Sequence, residues 1–298
     1  MSVKPILSAE ERDRVARLQL YARGIVDGLT VGQHRSPHKG FSAEFKEHRP
    51  YVPGDEIRSI DWKLFGKTDR LFIRQYEEET NLRCTLLLDQ SGSMNYRGTT
   101  ASQSKHAYAV GLAASLAYLL VLQQDAVGLA LIDRQLHRYI PPRSNPGHLQ
   151  LLMQALVSSH GEADTHLAEV IGQVAPRVHR RGLVLLISDC FEEVGPLIKA
   201  LRAFRAEHSE VVIFQIWDRD ELEFPFRRRL QVHDLERPMH QRVVDPVALR
   251  RQYLERVAHY RQELEQQCAR QRIELVPCVT DQPHTDILMS YLASRRDR

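Results

Sequence analysis

Two unbroken apolar runs, Leu86-Leu87-Leu88 and Leu183-Val184-Leu185-Leu186-Ile187, constrain this chain more than any other feature. A strand with one wet face alternates apolar and polar residues, whereas a run without alternation has both faces buried, as inside a parallel sheet. Strand candidates fall at 84–88, 126–132, 183–188, 211–217 and 273–276. Between and after them lie helix candidates at 102–124, 147–158, 165–179, 194–207, 246–272 and 284–294. Strands alternating with helices of this length predict a doubly wound, mostly parallel α/β sheet over residues 82–298.

The first 81 residues have another texture. Ser8 with Glu11 forms a capping-box pattern, and Val15, Leu18, Tyr21, Ala22, Ile25 and Leu29 recur at helical spacing. Gly32, Pro37, Gly40, Pro50, Pro53, Gly54 and Gly66 then punctuate short segments, one of which, Leu71-Phe72-Ile73-Arg74-Gln75-Tyr76, alternates like a strand. The expected division is an N-terminal helix and small β-rich module over 1–81 and the α/β domain over 82–298. The segment 219–245 breaks the α/β rhythm, and its alternating Leu230-Gln231-Val232-His233-Asp234-Leu235 is a candidate extra strand of the β module.

Charge excludes little: 41 Lys and Arg against 38 Asp and Glu give a net +3, too small to call for nucleic acid or a membrane surface. The cysteines at 84, 190, 268 and 278 form no CxxC pair and suggest no disulfide framework. Met1–Arg14 is charged, so no signal peptide is expected. The longest apolar stretch, 113–122, falls short of the ~20 residues of a spanning helix. A cytoplasmic location follows as an expectation.

In an open α/β sheet, ligands bind beyond the carboxyl ends of the strands. Asp89-Gln90-Ser91-Gly92-Ser93 follows the first apolar run and Ser188-Asp189 closes the second, so both carboxylates should reach one rim; Asp164-Thr165 opens a helix that can meet them. Asp89, Ser91, Ser93, Thr165 and Asp189 offer hard oxygen donors, which suit Mg²⁺ or Mn²⁺ rather than zinc. Because hydroxyls are neutral, such a site leaves the ion under-neutralised and able to take a carboxylate from outside. The plain alternative is that Ser91 and Ser93 cap the following helix and that Asp189 binds backbone.

At these residues the chain resembles a von Willebrand factor A-like domain with a metal-ion-dependent adhesion site. More closely, it is similar to the bacterial domain-of-unknown-function family fifty-eight, whose hallmark is matched by Arg49-Pro50-Tyr51-Val52-Pro53-Gly54-Asp55-Glu56-Ile57-Arg58-Ser59-Ile60-Asp61-Trp62. The threonine motif departs from the family, since Gly161-Glu162-Ala163-Asp164 replaces the usual two glycines before Thr165. Arg49, Asp55, Arg58 and Asp61 read either as structural ion pairs or as a partner-docking face.

The resemblance implies a non-enzymatic interaction module that completes a metal's coordination with a partner's Asp or Glu. It further implies an adaptor role beside a MoxR-type AAA ATPase or its client. The competing class is a metal-dependent hydrolase or phosphatase; against it, Ser91 stands where such folds place a second carboxylate, and the sequence shows no lysine near the loop. A purely structural domain is the third reading. No P-loop motif occurs.

Overall fold

A computed structural model describes residues 8–32, 45–51, 62–68, 70–76, 82–160, 166–178, 180–233 and 241–296. The chain opens with α1 (Ala9–Gly32), then β1 (Phe45–Pro50), α2 (Trp62–Thr68) and β2 (Phe72–Tyr76). The α/β succession follows: β3 (Arg83–Asp89), α3 (Lys105–Leu122), β4 (Ala126–Ile132), β5 (Leu136–Arg143), α4 (Pro146–Val157), α5 (Leu167–Val174), β6 (Leu183–Ser188), α6 (Val194–Ala206), β7 (Glu210–Trp217) and α7 (Arg219–Glu223). It closes with β8 (Leu230–His233), β9 (Gln241–Val244), α8 (Pro246–Arg270), β10 (Glu274–Val279) and α9 (His284–Arg296).

Six strands form one sheet in the order β10-β7-β6-β3-β4-β5, every pair parallel except β4 with β5. This is the doubly wound, mostly parallel sheet that the apolar runs predict. Strand order reverses between β3 and β6, which pair with Leu86 opposite Leu185 and Leu88 opposite Ile187. Residue alternation sorts the two runs onto two cores. Leu86, Leu88, Leu185 and Ile187 pack on the side of α1, α3, α4 and α9, whereas Leu87, Val184 and Leu186 pack on the side of α5, α6 and α8. Helix α6 shows the rule, burying Val194, Leu197, Ile198, Leu201 and Phe204 along one stripe.

Three sequence expectations need amendment. First, α1 belongs to the α/β unit, which comprises residues 1–34 and 82–298. Its Val15, Ala22 and Leu29 are buried in the first core, where it packs on α3, α4 and α9. Second, β8 pairs with β9 in a hairpin of its own within that unit, so residues 230–233 are no strand of the β module. Third, α3 is, by length and composition, apolar enough to cross a membrane. Tyr108, Leu112, Leu116 and Ala117 are buried among the first core's residues, which accounts for that apolarity.

The second unit, 35–81, contains the antiparallel pair β1–β2, with Arg49 opposite Ile73, and the short α2. In α2, Trp62 lies edge-on to Phe65 and is 59% exposed. Asp55, Arg58 and Asp61 lie outside the described residues.

Candidate metal centre

Strand β3 ends on Asp89, and Asp189 comes directly after β6, its parallel neighbour. Both carboxylates therefore stand at the carboxyl rim where the strand order reverses, the place where α/β sheets bind ligands. Both are buried, as are Gln90, Ser91 and Ser188, whereas Ser93 is partly exposed. Ser91 is thus deeper than a rim loop suggests.

Local hydrogen bonds fix the loop. The Ser91 amide donates to Asp89 Oδ1 at 2.8 Å and the Ser188 hydroxyl donates to Asp89 Oδ2 at 2.5 Å. Ser91 and Ser93 hydroxyls lie 3.1 Å apart, on either side of Gly92. Ser91 precedes a single 3₁₀ turn, Gly92–Asn95, but its side chain makes no capping bond; α3 is capped by Ser104, whose Oγ accepts from the Ala107 amide at 3.2 Å. Capping therefore does not explain Ser91. Asp189 Oδ1 does accept from backbone, the Phe191 amide at 3.2 Å.

Asp189 Oδ2 has another partner. Lys105, the first residue of α3 and fully buried, donates from Nζ to Asp189 Oδ2 and to Glu221 Oε1, each at 2.7 Å. Burial alone would depress the ammonium's pKa, but the charges of Asp189 and Glu221 outweigh it and the pKa rises. Among the described residues no such cation meets Asp89: burial, and then the charge of Asp189, push its carboxyl up to about 7, against the hydrogen bonds from Ser188 and Ser91. Glu221 continues the network into α7. Its Oε2 accepts from the Asp218 amide at 2.7 Å in a capping box, and Asp218 and Asp220 in turn accept from the amides of Gly98 and Thr99. Asp218 Oδ1 lies where a Cβ on Gly98 would be, so only glycine allows this approach.

These residues fit a hard divalent cation. Among the described residues no three His, Cys, Asp or Glu side chains cluster to hold a metal by themselves, so hydroxyls must contribute. Ser91 and Ser93 supply them beside Asp89, and each carboxylate oxygen keeps a lone pair beyond the hydrogen bond it accepts. The carboxyls of Asp89, Asp189 and Glu221 outnumber the one ammonium of Lys105 in a largely buried place. Thr165 lies outside the described residues. His166 precedes α5, and the His160 amide donates to Gln90 Oε1 at 3.2 Å, so that histidine meets the Asp89–Ser93 loop through its backbone.

The sequence profile of the protein family of unknown function DUF58 matches residues 47–263, well over half of the chain. The chain belongs to the DUF58 family. Uncharacterized proteins of Mycobacterium bovis and Mycobacterium tuberculosis are 26% identical to it over 285 residues, covering 94% of this chain and 88% of theirs. Among solved structures, BatB from Bacteroides thetaiotaomicron matches with a TM-score of 0.46 at 14% identity, covering 73% of this chain and 100% of its own. The SpRpn10 VWA domain matches with a TM-score of 0.43 at 12% identity, covering 70% and 94%.

In this DUF58 chain the largest omission of the sequence reading is Lys105, which stands 16 residues after Asp89 in sequence yet touches Asp189. One signal was available: a lysine opening an otherwise apolar helix that starts at the ligand rim. The left-handed backbone of Cys190 (φ 57°) is a second feature the sequence hides. The Tyr260 hydroxyl donates to the Cys190 carbonyl and ties this turn to α8.

Proposed function

We propose that this DUF58 chain is a metal-dependent protein-interaction module rather than an enzyme. Mg²⁺ or Mn²⁺ is held by Asp89, Ser91 and Ser93, with Thr165 and Asp189 completing the set, and the ion supplies a Lewis-acidic position for an Asp or Glu of the partner. The observation that carries this reading is the burial of Asp89 and Asp189 together at the switch point of the sheet, with an excess of negative charge and hydroxyls beside it. The partner is a MoxR-type AAA ATPase or its client, encountered in the cytoplasm; support for this comes from the family resemblance. Titration calorimetry with Mg²⁺ should show one site that Asp89→Ala abolishes. A tagged chain should capture the ATPase in Mg²⁺ and release it in chelator. Equal capture in both would sink the metal-dependent reading.

One observation favours the enzyme reading: a lysine does lie beside the second carboxylate, where the sequence showed none. Its hydrogen bonds to Asp189 and Glu221, and its complete burial, fit charge compensation better than contact with a substrate. Turnover of a phosphate ester by purified chain, lost in Asp89→Asn, would establish the hydrolase instead.

A further inference from the structure

Beside the carboxylates, the loop after β6 and one stripe of α8 enclose a groove that the metal reading leaves unused. Tyr253, Arg256, Val257, Tyr260 and Glu263 recur at helical spacing along α8 and line it. Phe191 and Tyr260 are walls of both its parts: a hollow of about 230 Å³ over Trp217, and a wider one of about 680 Å³ bordered by Glu192, Glu193 and Glu263. The smaller hollow is below the ~300–1,000 Å³ of small-molecule sites, and suits one side chain.

Two independent observations point to an occupant. Trp217 is 1% exposed, yet among the described residues no acceptor meets its indole N–H, an uncommon state for a buried donor. Phe191 is 44% exposed although Lys105 Nζ sits 4.5 Å from its ring centre and its amide is bound to Asp189. The ring thus joins the candidate metal centre to the groove. Charge gives the groove a direction, with Arg256 at the Trp217 end and three glutamates at the other. One exposed ring, Phe191, flanked by the half-buried Tyr253 and Tyr260 and by charged ends, matches the composition of protein-recognition hot spots.

We propose that this groove seats a short segment of the partner protein: an apolar or aromatic side chain against Phe191, Tyr253 and Tyr260, and a Lys or Arg directed to Glu192, Glu193 and Glu263. The inference rests on the reading of this rim as a protein-docking surface, but it does not require the metal.

The test uses the full chain carrying Trp62→Phe, which leaves Trp217 as the one indole reporter. Randomised twelve-residue peptides displayed on phage are selected on it in Mg²⁺, and the enriched peptide is titrated by Trp217 fluorescence. Enriched peptides should pair an apolar or aromatic residue with a nearby Lys or Arg and shift Trp217 emission. Glu263→Lys and Val257→Glu, both on the outer stripe of α8, should each weaken the peptide at least tenfold without moving the melting temperature. No enrichment, enrichment without a basic residue, or unchanged affinity in both variants overturns the proposal. So does a concentration-dependent rise in sedimentation of the chain alone that Val257→Glu removes, which would give the groove to a second copy. Chelator separates the two readings: peptide binding that survives chelator in a chain with no Mg²⁺ site defeats the metal reading alone. Mg²⁺ binding with no groove-dependent peptide defeats this inference alone.

Discussion

At the scale of single residues, the stability of the rim turns on Lys105. One ammonium serves two carboxylates, the buried Asp189 and the largely buried Glu221, 84 and 116 positions away in sequence. Removing one member of a buried ion network leaves uncompensated charge, typically costing about 3–5 kcal/mol. Lys105→Met keeps the stem and deletes the charge, so its unfolding free energy, measured by urea denaturation in chelator, should fall by an amount in that range. Mg²⁺ should restore part of the loss, because the site then carries one more negative charge. An unchanged midpoint would show that Asp189 and Glu221 do not depend on the ammonium. Asp89 and Asp189 were legible from the sequence because each closes an apolar run. Lys105 was not, since a residue's distance along the chain does not report what a crossover helix returns to the rim.

Among elements, α1 is held to the α/β unit by a polar contact inside an apolar face. His284 Nε2 donates to the Tyr108 carbonyl at 2.9 Å, which fixes its tautomer, so Nδ1 accepts from the Tyr21 hydroxyl at 2.5 Å. The imidazole stacks on Tyr108 with ring centres 4.0 Å apart. Gly111 admits this packing: a Cβ there would stand 3.2 Å from both the His284 and Tyr21 rings. Burial lowers the His284 pKa below its ordinary value, against the hydrogen bond to Tyr108. A depressed folded-state pKa contributes stability that is present above the unfolded pKa of about 6.5 and is lost as pH falls through the folded value. The thermal midpoint should therefore drop on acidification below that pH, and less steeply in His284→Phe, which keeps a ring but does not titrate. Parallel acid limbs in the two proteins would remove His284 from the account. Tyr21→Phe should cost about 1–3 kcal/mol at neutral pH by leaving Nδ1 unsatisfied, measurable by denaturant unfolding. The edge strand β5 went unseen in the sequence for a related reason. Its Pro141 and Pro142 argue against a strand, yet an edge tolerates proline, and Gly128 opposite leaves room where a Cβ would meet the Ile140 carbonyl at 2.7 Å.

For the molecule as a whole, the first hydrophobic core joins residues of α1 to residues after 81, and the second is built entirely from residues after 81. A chain in which a Gly/Ser linker replaces residues 35–81 should accordingly unfold in one cooperative calorimetric transition with a midpoint within a few degrees of the parent. Loss of that transition would mean that the β-rich unit supports the α/β unit's fold.

The sequence by itself determined the layered architecture, because burial on two faces, helical periodicity and strand-end carboxylates are all local properties of neighbouring residues. It also determined the chemistry of the donors at Asp89, Ser91, Ser93 and Asp189. Only the tertiary structure decided which charges meet: the ammonium that faces Asp189, the helix that covers the sheet before β3, and the groove where α8 runs beside Phe191 and Trp217. Those pairings depend on crossovers that bring together residues far apart in the chain, and no local pattern encodes a distance in space.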